Sequence, residues 1–144
     1  MTDYILKAES GHINVSPIGF RFAAQDFFKC YLDFRPQRQF SIIPYFLCCR
    51  AIELALKAIH LEAKHQADVK KEYWHNLVKL YEGLQDKQPT LSHEELDLLK
   101  QANQIYSNKD FEYFNVYDAG MAFGRYPELD ALGRLARKIT RYTD

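Results

Sequence analysis

The 144-residue chain is poor in the residues that staple, span or clamp. It has three cysteines, Cys30, Cys48 and Cys49. An odd count with an adjacent pair is not a secreted disulfide framework, and a reducing cytoplasm is the simpler expectation. No Cys or His spacing suits zinc, and His60 and His65, five residues apart, diverge around a helix. Six glycines are too few and too scattered for a phosphate-cradling loop, and Gly120 and Gly124 lack the surrounding motif. The longest apolar run, Ile42 to Cys49, stops at Arg50. It is far short of the roughly 20 residues of a membrane span. Met1 to Ser10 lacks the basic-then-apolar build of a signal peptide. Charge of one sign is also missing, with 19 Lys plus Arg against 19 Asp plus Glu. That balance excludes a surface committed throughout to nucleic acid or membrane, though a local basic face remains compatible with it.

What is present is 47% apolar and 26% charged, with one bias toward aromatics: ten Phe, ten Tyr and one Trp. Apart from that bias the composition is ordinary for a globular protein. A chain of roughly 150 residues buries about 68–70% of its unfolded surface, so one core suffices without metal or disulfide. The expectation is a single domain over 1–144, with residues 1–15 an irregular N-terminal arm.

The periodicity is helical throughout, with no sustained β alternation. Ser16-Pro17 is a helix start. Phe20, Ala23, Ala24, Phe27, Phe28 and Tyr31 follow at helical spacing, and Arg35-Pro36 ends the segment. A second helix is predicted from about Ile42 to about Ala63, apolar nearly all round and therefore central. Its polar exceptions are Arg50, Glu53, Lys57 and His60, which fall within an arc of roughly 80° at about 100° per residue. A polar loop is expected from Lys64 to roughly Lys71. A third helix carries Leu77, Leu80, Tyr81 and Leu84. A fourth opens with the capping box Ser92/Glu95 and the staple Leu91/Leu96. The stretch Asn108 to Tyr126 is aromatic and weakly periodic. The last helix begins at Pro127 and carries Leu129, Leu132, Leu135, Ala136 and Ile139. The fold expected is all-α: an up-and-down antiparallel bundle of four main helices plus a fifth C-terminal helix.

Three motifs in this order carry a resemblance: Glu53-Leu54-Ala55-Leu56-Lys57-Ala58 on the central helix, His75-Asn76-Leu77 at a helix start, and Arg125-Tyr126-Pro127 late in the chain. Over roughly Ser41 to Pro127 the chain resembles the HEPN superfamily (higher eukaryotes and prokaryotes nucleotide-binding). The resemblance implies an antiparallel bundle that forms a homodimer. Many members are ribonucleases, often paired with a nucleotidyltransferase antitoxin, and others bind nucleotide, RNA or protein without catalysis. The ribonuclease members carry an Arg followed, after four to six residues, by a His late in the chain. Here the last histidine is His93, Arg50 and His60 have nine residues between them, and Arg125 has no histidine after it. The non-nuclease branch is therefore the one implied. The partners it carries are nucleotide, RNA or a nucleotidyltransferase-type protein, in a prokaryotic defence or toxin–antitoxin setting.

The candidate ligand-binding cleft comprises Arg50, Glu53, Lys57, His75, Asn76, Arg125 and Tyr126. An Arg fork and a Lys point charge receive phosphate, and Glu53 holds them in place. The plainer reading of the same stripe is an internal salt-bridge network, since Glu53 and Lys57 stand at i, i+4 in the favoured order. His75 and Asn76 fit a general base or phosphate ligand, but more often such a pair closes a helix end. Trp74 can stack a base, yet a Trp beside a helix start is more often core, and core is the expectation. Arg125 and Tyr126, with Phe111, Tyr113, Phe114, Tyr117 and Phe123 before them, fit a single-strand site or, more ordinarily, a packed cap or dimer face. Arg134, Arg137, Lys138 and Arg141 form a basic stripe whose plain reading is a solvated face near a helix C-terminus. Cys48 and Cys49 read as core.

No catalytic residue, metal or cofactor is assigned. The function expected is a non-catalytic, cytoplasmic binding domain with no membrane association. The alternatives are a metal-independent ribonuclease using His75 with Arg50 or Arg125, and a purely structural assembly domain.

Overall fold

The structure is a computed structural model and describes residues 16–107 and 124–142. All regular structure among those residues is helical, in six helices: α1 (Ser16–Asp33), α2 (Ile43–His60), α3 (Gln66–Tyr73), α4 (Leu77–Glu82), α5 (His93–Ser107) and α6 (Leu129–Tyr142). The all-α expectation holds. The predicted N-terminal arm, and Phe111, Tyr113, Phe114, Tyr117 and Phe123, lie outside the described residues. None of the described helices is long and apolar enough to cross a membrane.

The most apolar helix is the central one. Leucine, isoleucine, alanine and cysteine occupy most of the circumference of α2, so it has no face to give to water. Twelve of its residues are buried, and it packs against α1, α4, α5 and α6. Pro44 sits in its first turn, where its missing N–H costs no helical bond. Cys48 and Cys49 are fully buried, and burial pushes the Cys48 thiol up to about 12. Both are core residues, as their apolar surroundings predict.

The flanking helices each supply one face to this core. Ala24 of α1 is fully buried, and Phe20, Ala23, Phe27, Phe28 and Tyr31 pack against the core, partly buried. Leu132, Leu135, Ala136 and Ile139 do the same for α6. Gly133 of α6 faces Tyr31, and a Cβ there would overlap the hydroxyl end of the tyrosine ring, so a larger residue would force that ring to shift. In α5 the capping box forms as its spacing predicts. Glu95 N donates to Ser92 Oγ at 3.1 Å, and Ser92 N donates to Glu95 Oε1 at 2.8 Å.

One element departs from the expectation. Residues read as a polar loop, Lys64 to roughly Lys71, mostly form helix α3. Only Val69 and Tyr73 of α3 are buried. Two apolar positions one turn apart make no visible period, and the intervening Lys70, Lys71 and Glu72 look like solvated loop. The helix is held by what its ends meet: Val69 N donates to the His65 carbonyl at 3.1 Å, and Ser16 Oγ of α1 donates to Gln66 Oε1 at 3.0 Å. With α3 added, the predicted helices appear in the predicted order.

Candidate functional site

The site begins with a carboxylate that has no access to water. Glu53 of α2 is 0% exposed. A buried charge must be paired and hydrogen-bonded, and four donors converge on this one. Lys57 Nζ, one turn on, donates to Oε2 at 2.6 Å. Arg50, one turn back, donates from its guanidinium to Oε1 at 3.0 Å. His75 Nδ1 meets Oε2 at 2.7 Å, and the Tyr106 hydroxyl of α5 donates to Oε1. Burial alone would raise the Glu53 pKa. The hydrogen bonds from Lys57, Tyr106 and His75, with the Lys57 charge, outweigh it and hold the carboxyl below its ordinary range. The Tyr106 phenol moves the other way, raised by burial and by the carboxylate beside it. Glu53 is thus ionised and Tyr106 protonated near neutrality. An ionised carboxylate can only accept, so His75 must carry its proton on Nδ1, which leaves Nε2 available to a ligand.

The network is one wall of a cavity of about 270 Å³, lined by Phe20, Arg50, Leu54, Lys57, Leu61, Gln66, Val69, Lys70, Trp74 and His75. Its two kinds of surface are distinct. Leu54, Leu61, Val69 and Phe20 are apolar, while Arg50, Lys57 and Lys70 carry nitrogen donors and His75 an imidazole. Among the described residues, no carboxylate lines the cavity. Of the three permanent cations, Arg50 and Lys57 are paired with Glu53, which is buried away from solvent. Arg50 keeps a third of its side chain exposed, so the fork is part structural and part open to a ligand.

Of the seven predicted cleft residues, the structure brings Arg50, Glu53, Lys57 and His75 together. Asn76 does not line the cavity. It caps α4, its Oδ1 accepting from Lys79 N at 3.0 Å and from Asn103 Nδ2 at 3.2 Å. That is the helix-closing role of the plainer reading. Asn103 Oδ1 in turn accepts from Leu77 N at 2.8 Å. Arg125 and Tyr126 are also absent from the cavity lining. The Arg125 carbonyl accepts from Gln101 at 3.1 Å, and the Tyr126 ring packs edge-on against Phe40 and Tyr45 at 5.2 and 5.0 Å between centroids. Tyr126 thus packs on the bundle, while most of the aromatic stretch before it lies outside the described residues. His60 leaves the stripe as well. It is buried, its Nε2 lies 2.8 Å from the Leu80 carbonyl, and burial lowers its pKa despite that bond.

Three features were not apparent from periodicity. Tyr106 appeared only as one apolar position of α5, since a buried hydroxyl has no sequence signal of its own. Lys70 and Gln66 sat in the supposed loop. Trp74, expected in the core, is 53% exposed and lines the cavity. On the basic stripe of α6, Arg134, Arg137 and Arg141 are exposed, whereas Lys138 pairs with Glu95 at 2.7 Å. Among the described residues, no group of three or more His, Cys, Asp or Glu is placed to hold a metal ion.

In comparisons with known proteins, no family model, no curated protein and no solved structure matches this chain.

Proposed function

We propose that this chain is a non-catalytic HEPN-like domain that binds a phosphate-bearing ligand, a nucleotide or RNA, in the cavity beside Glu53. The observation that carries the reading is the lining itself: Arg50, Lys57, Lys70 and His75 face one small cavity, with no carboxylate among the described residues of its walls. A phosphate there receives a guanidinium fork and ammonium charges. Glu53 keeps two of the cations and the imidazole in fixed rotamers, so little ordering entropy is left to lose on binding.

The HEPN assignment rests on the resemblance. It is supported by the acid-x-x-x-Lys pair on the central helix and the His-Asn dipeptide opening α4. We read the helices as an up-and-down antiparallel bundle, which agrees with α2 contacting four others. The homodimer, the nucleotidyltransferase-type partner and the cytoplasmic defence setting come from the resemblance. Ile18 and Phe22 on α1, both more than half exposed, are apolar positions available to a dimer face.

The test is fluorescence anisotropy of a labelled short single-stranded RNA at low and moderate salt, with Arg50→Gln and Lys70→Gln as variants checked for folding by circular dichroism. The expected result is binding that weakens with salt, with the log–log slope reduced by about 0.7 for each phosphate contact removed. If RNA and a mononucleotide both fail to bind at low salt, the reading is lost.

One observation favours the ribonuclease as a second reading. Arg50 and His75 bond to opposite oxygens of the same carboxylate and line the same cavity, so both are within reach of one phosphate. Cleavage of a fluorogenic RNA in the presence of a chelator, abolished by His75→Gln, is its signature. Intact RNA at high protein concentration removes it.

A further inference from the structure

Trp74 is the least ordinary member of the cavity wall. A large aromatic side chain gains by burial, yet Trp74 stands 53% exposed at the rim. Its backbone is in the left-handed half of conformational space, at φ 50° and ψ −119°. That region is costly for a residue with a side chain and is found where the surroundings impose it. The indole is held by two neighbours that also line the cavity. Lys70 Nζ lies 5.6 Å from the ring centroid, and the His75 ring stands edge-on at 4.7 Å. The ring is thus exposed, flanked by an ammonium group and by an imidazole that a buried carboxylate fixes. That arrangement binds a flat ring carrying a negative charge.

We infer that Trp74, with Lys70 and Phe20, forms a ring-binding subsite, in which a planar heteroaromatic group lies against the indole while its anionic substituent reaches Arg50 and Lys57. The inference rests on the anion-binding reading of those two cations and adds which side chains receive the ligand's ring. The cavity holds about 270 Å³. Usual small-molecule pockets run from about 300 to about 1,000 Å³. This one therefore takes one ring and its phosphate, not a stacked pair. Two sources share this chemistry: a free nucleoside monophosphate, and an unpaired nucleotide at the end or bulge of an RNA strand.

Trp74 is the only tryptophan in the chain, so intrinsic fluorescence under tryptophan-selective excitation reports on this subsite alone. The full chain is titrated with adenosine monophosphate, ribose 5-phosphate and a short single-stranded oligonucleotide, with affinities read in parallel by calorimetry. Adenosine monophosphate is expected to quench the indole and to bind roughly 5- to 150-fold more tightly than ribose 5-phosphate, the range that base–aromatic stacking supplies. Trp74→Ala should abolish that advantage and Trp74→Phe retain part of it. Because the side chain is half exposed, both variants should melt near the wild type. Quenching by the monophosphate assigns the subsite to free nucleotides. Quenching by the oligonucleotide alone assigns it to an unpaired nucleotide in a strand.

The inference is overturned, with anion binding left standing, if ribose 5-phosphate binds as tightly as the monophosphate, or if Trp74→Ala binds every ligand as the wild type does. If none of the three ligands binds, the anion-binding reading falls with it.

Discussion

Replacing Glu53 by glutamine removes one negative charge and changes almost nothing in shape. The wild-type carboxylate is fully buried and accepts from Lys57, Arg50, His75 and Tyr106. A glutamine keeps one acceptor oxygen and turns an NH₂ toward donors that also need an acceptor. Lys57, with 10% of its side chain exposed, cannot easily carry its charge to water, whereas Arg50, a third exposed, can in part. Breaking a buried pair by removing one partner costs about 3–5 kcal/mol. The Arg50 escape route places Glu53→Gln toward the lower end of that range, about 3 kcal/mol. For a chain of this size that is a loss of roughly 6–12 °C in Tm.

The pH dependence provides the discriminating control. Because the folded pKa of Glu53 lies below its unfolded value, its contribution to stability is complete above about 4.3, the reference for an unfolded Glu. It is lost as pH falls through the folded pKa. Urea denaturation followed by circular dichroism at pH 7 and at successively lower pH should therefore show the gap between wild type and Glu53→Gln closing as acid is added. A variant as stable as wild type at pH 7, or a gap that persists undiminished into acid, would refute the paired-charge account.

The groups around this carboxylate and its core carry further expectations. Tyr106→Phe deletes one hydrogen bond to a charged acceptor, and a loss of about 1.5–3 kcal/mol in the same denaturation assay is expected. Asn76→Ala removes the α4 cap and a partner of Asn103. It should cost about 1–2 kcal/mol without changing ligand affinity, because Asn76 stands outside the cavity lining. An NMR titration of histidine ring protons should give His60 a midpoint below the about 6.5 of free imidazole, since burial disfavours its charged form; a midpoint at or above that value would contradict the packing around it. With an aromatic disulfide reagent, exposed Cys30 should react at once, while buried Cys48 and Cys49 wait for unfolding. Three fast thiols would show that the core around α2 is open.

The parts of this protein legible in its sequence are those decided within one or two helical turns. The all-round apolarity of α2 placed it at the centre, because a helix without a polar face has no stable position at a surface. Ser92 and Glu95 are three residues apart, and their reciprocal hydrogen bonds need nothing from elsewhere in the fold. Glu53 and Lys57 face each other for the same local reason. Tertiary structure decided what that pair is for. Tyr106 reaches Glu53 across 53 positions of sequence, and His75 across 22. Those approaches depend on how α5 and the start of α4 pack on α2, which no periodicity encodes. Helix α3 was hidden because only Val69 and Tyr73 face inward. The exposure of Trp74 follows from a backbone turn at the end of that same helix. Residue spacing determined the described helices other than α3, and one ion pair. Long-range packing determined that the ion pair borders a cavity, and that the single tryptophan stands at its mouth.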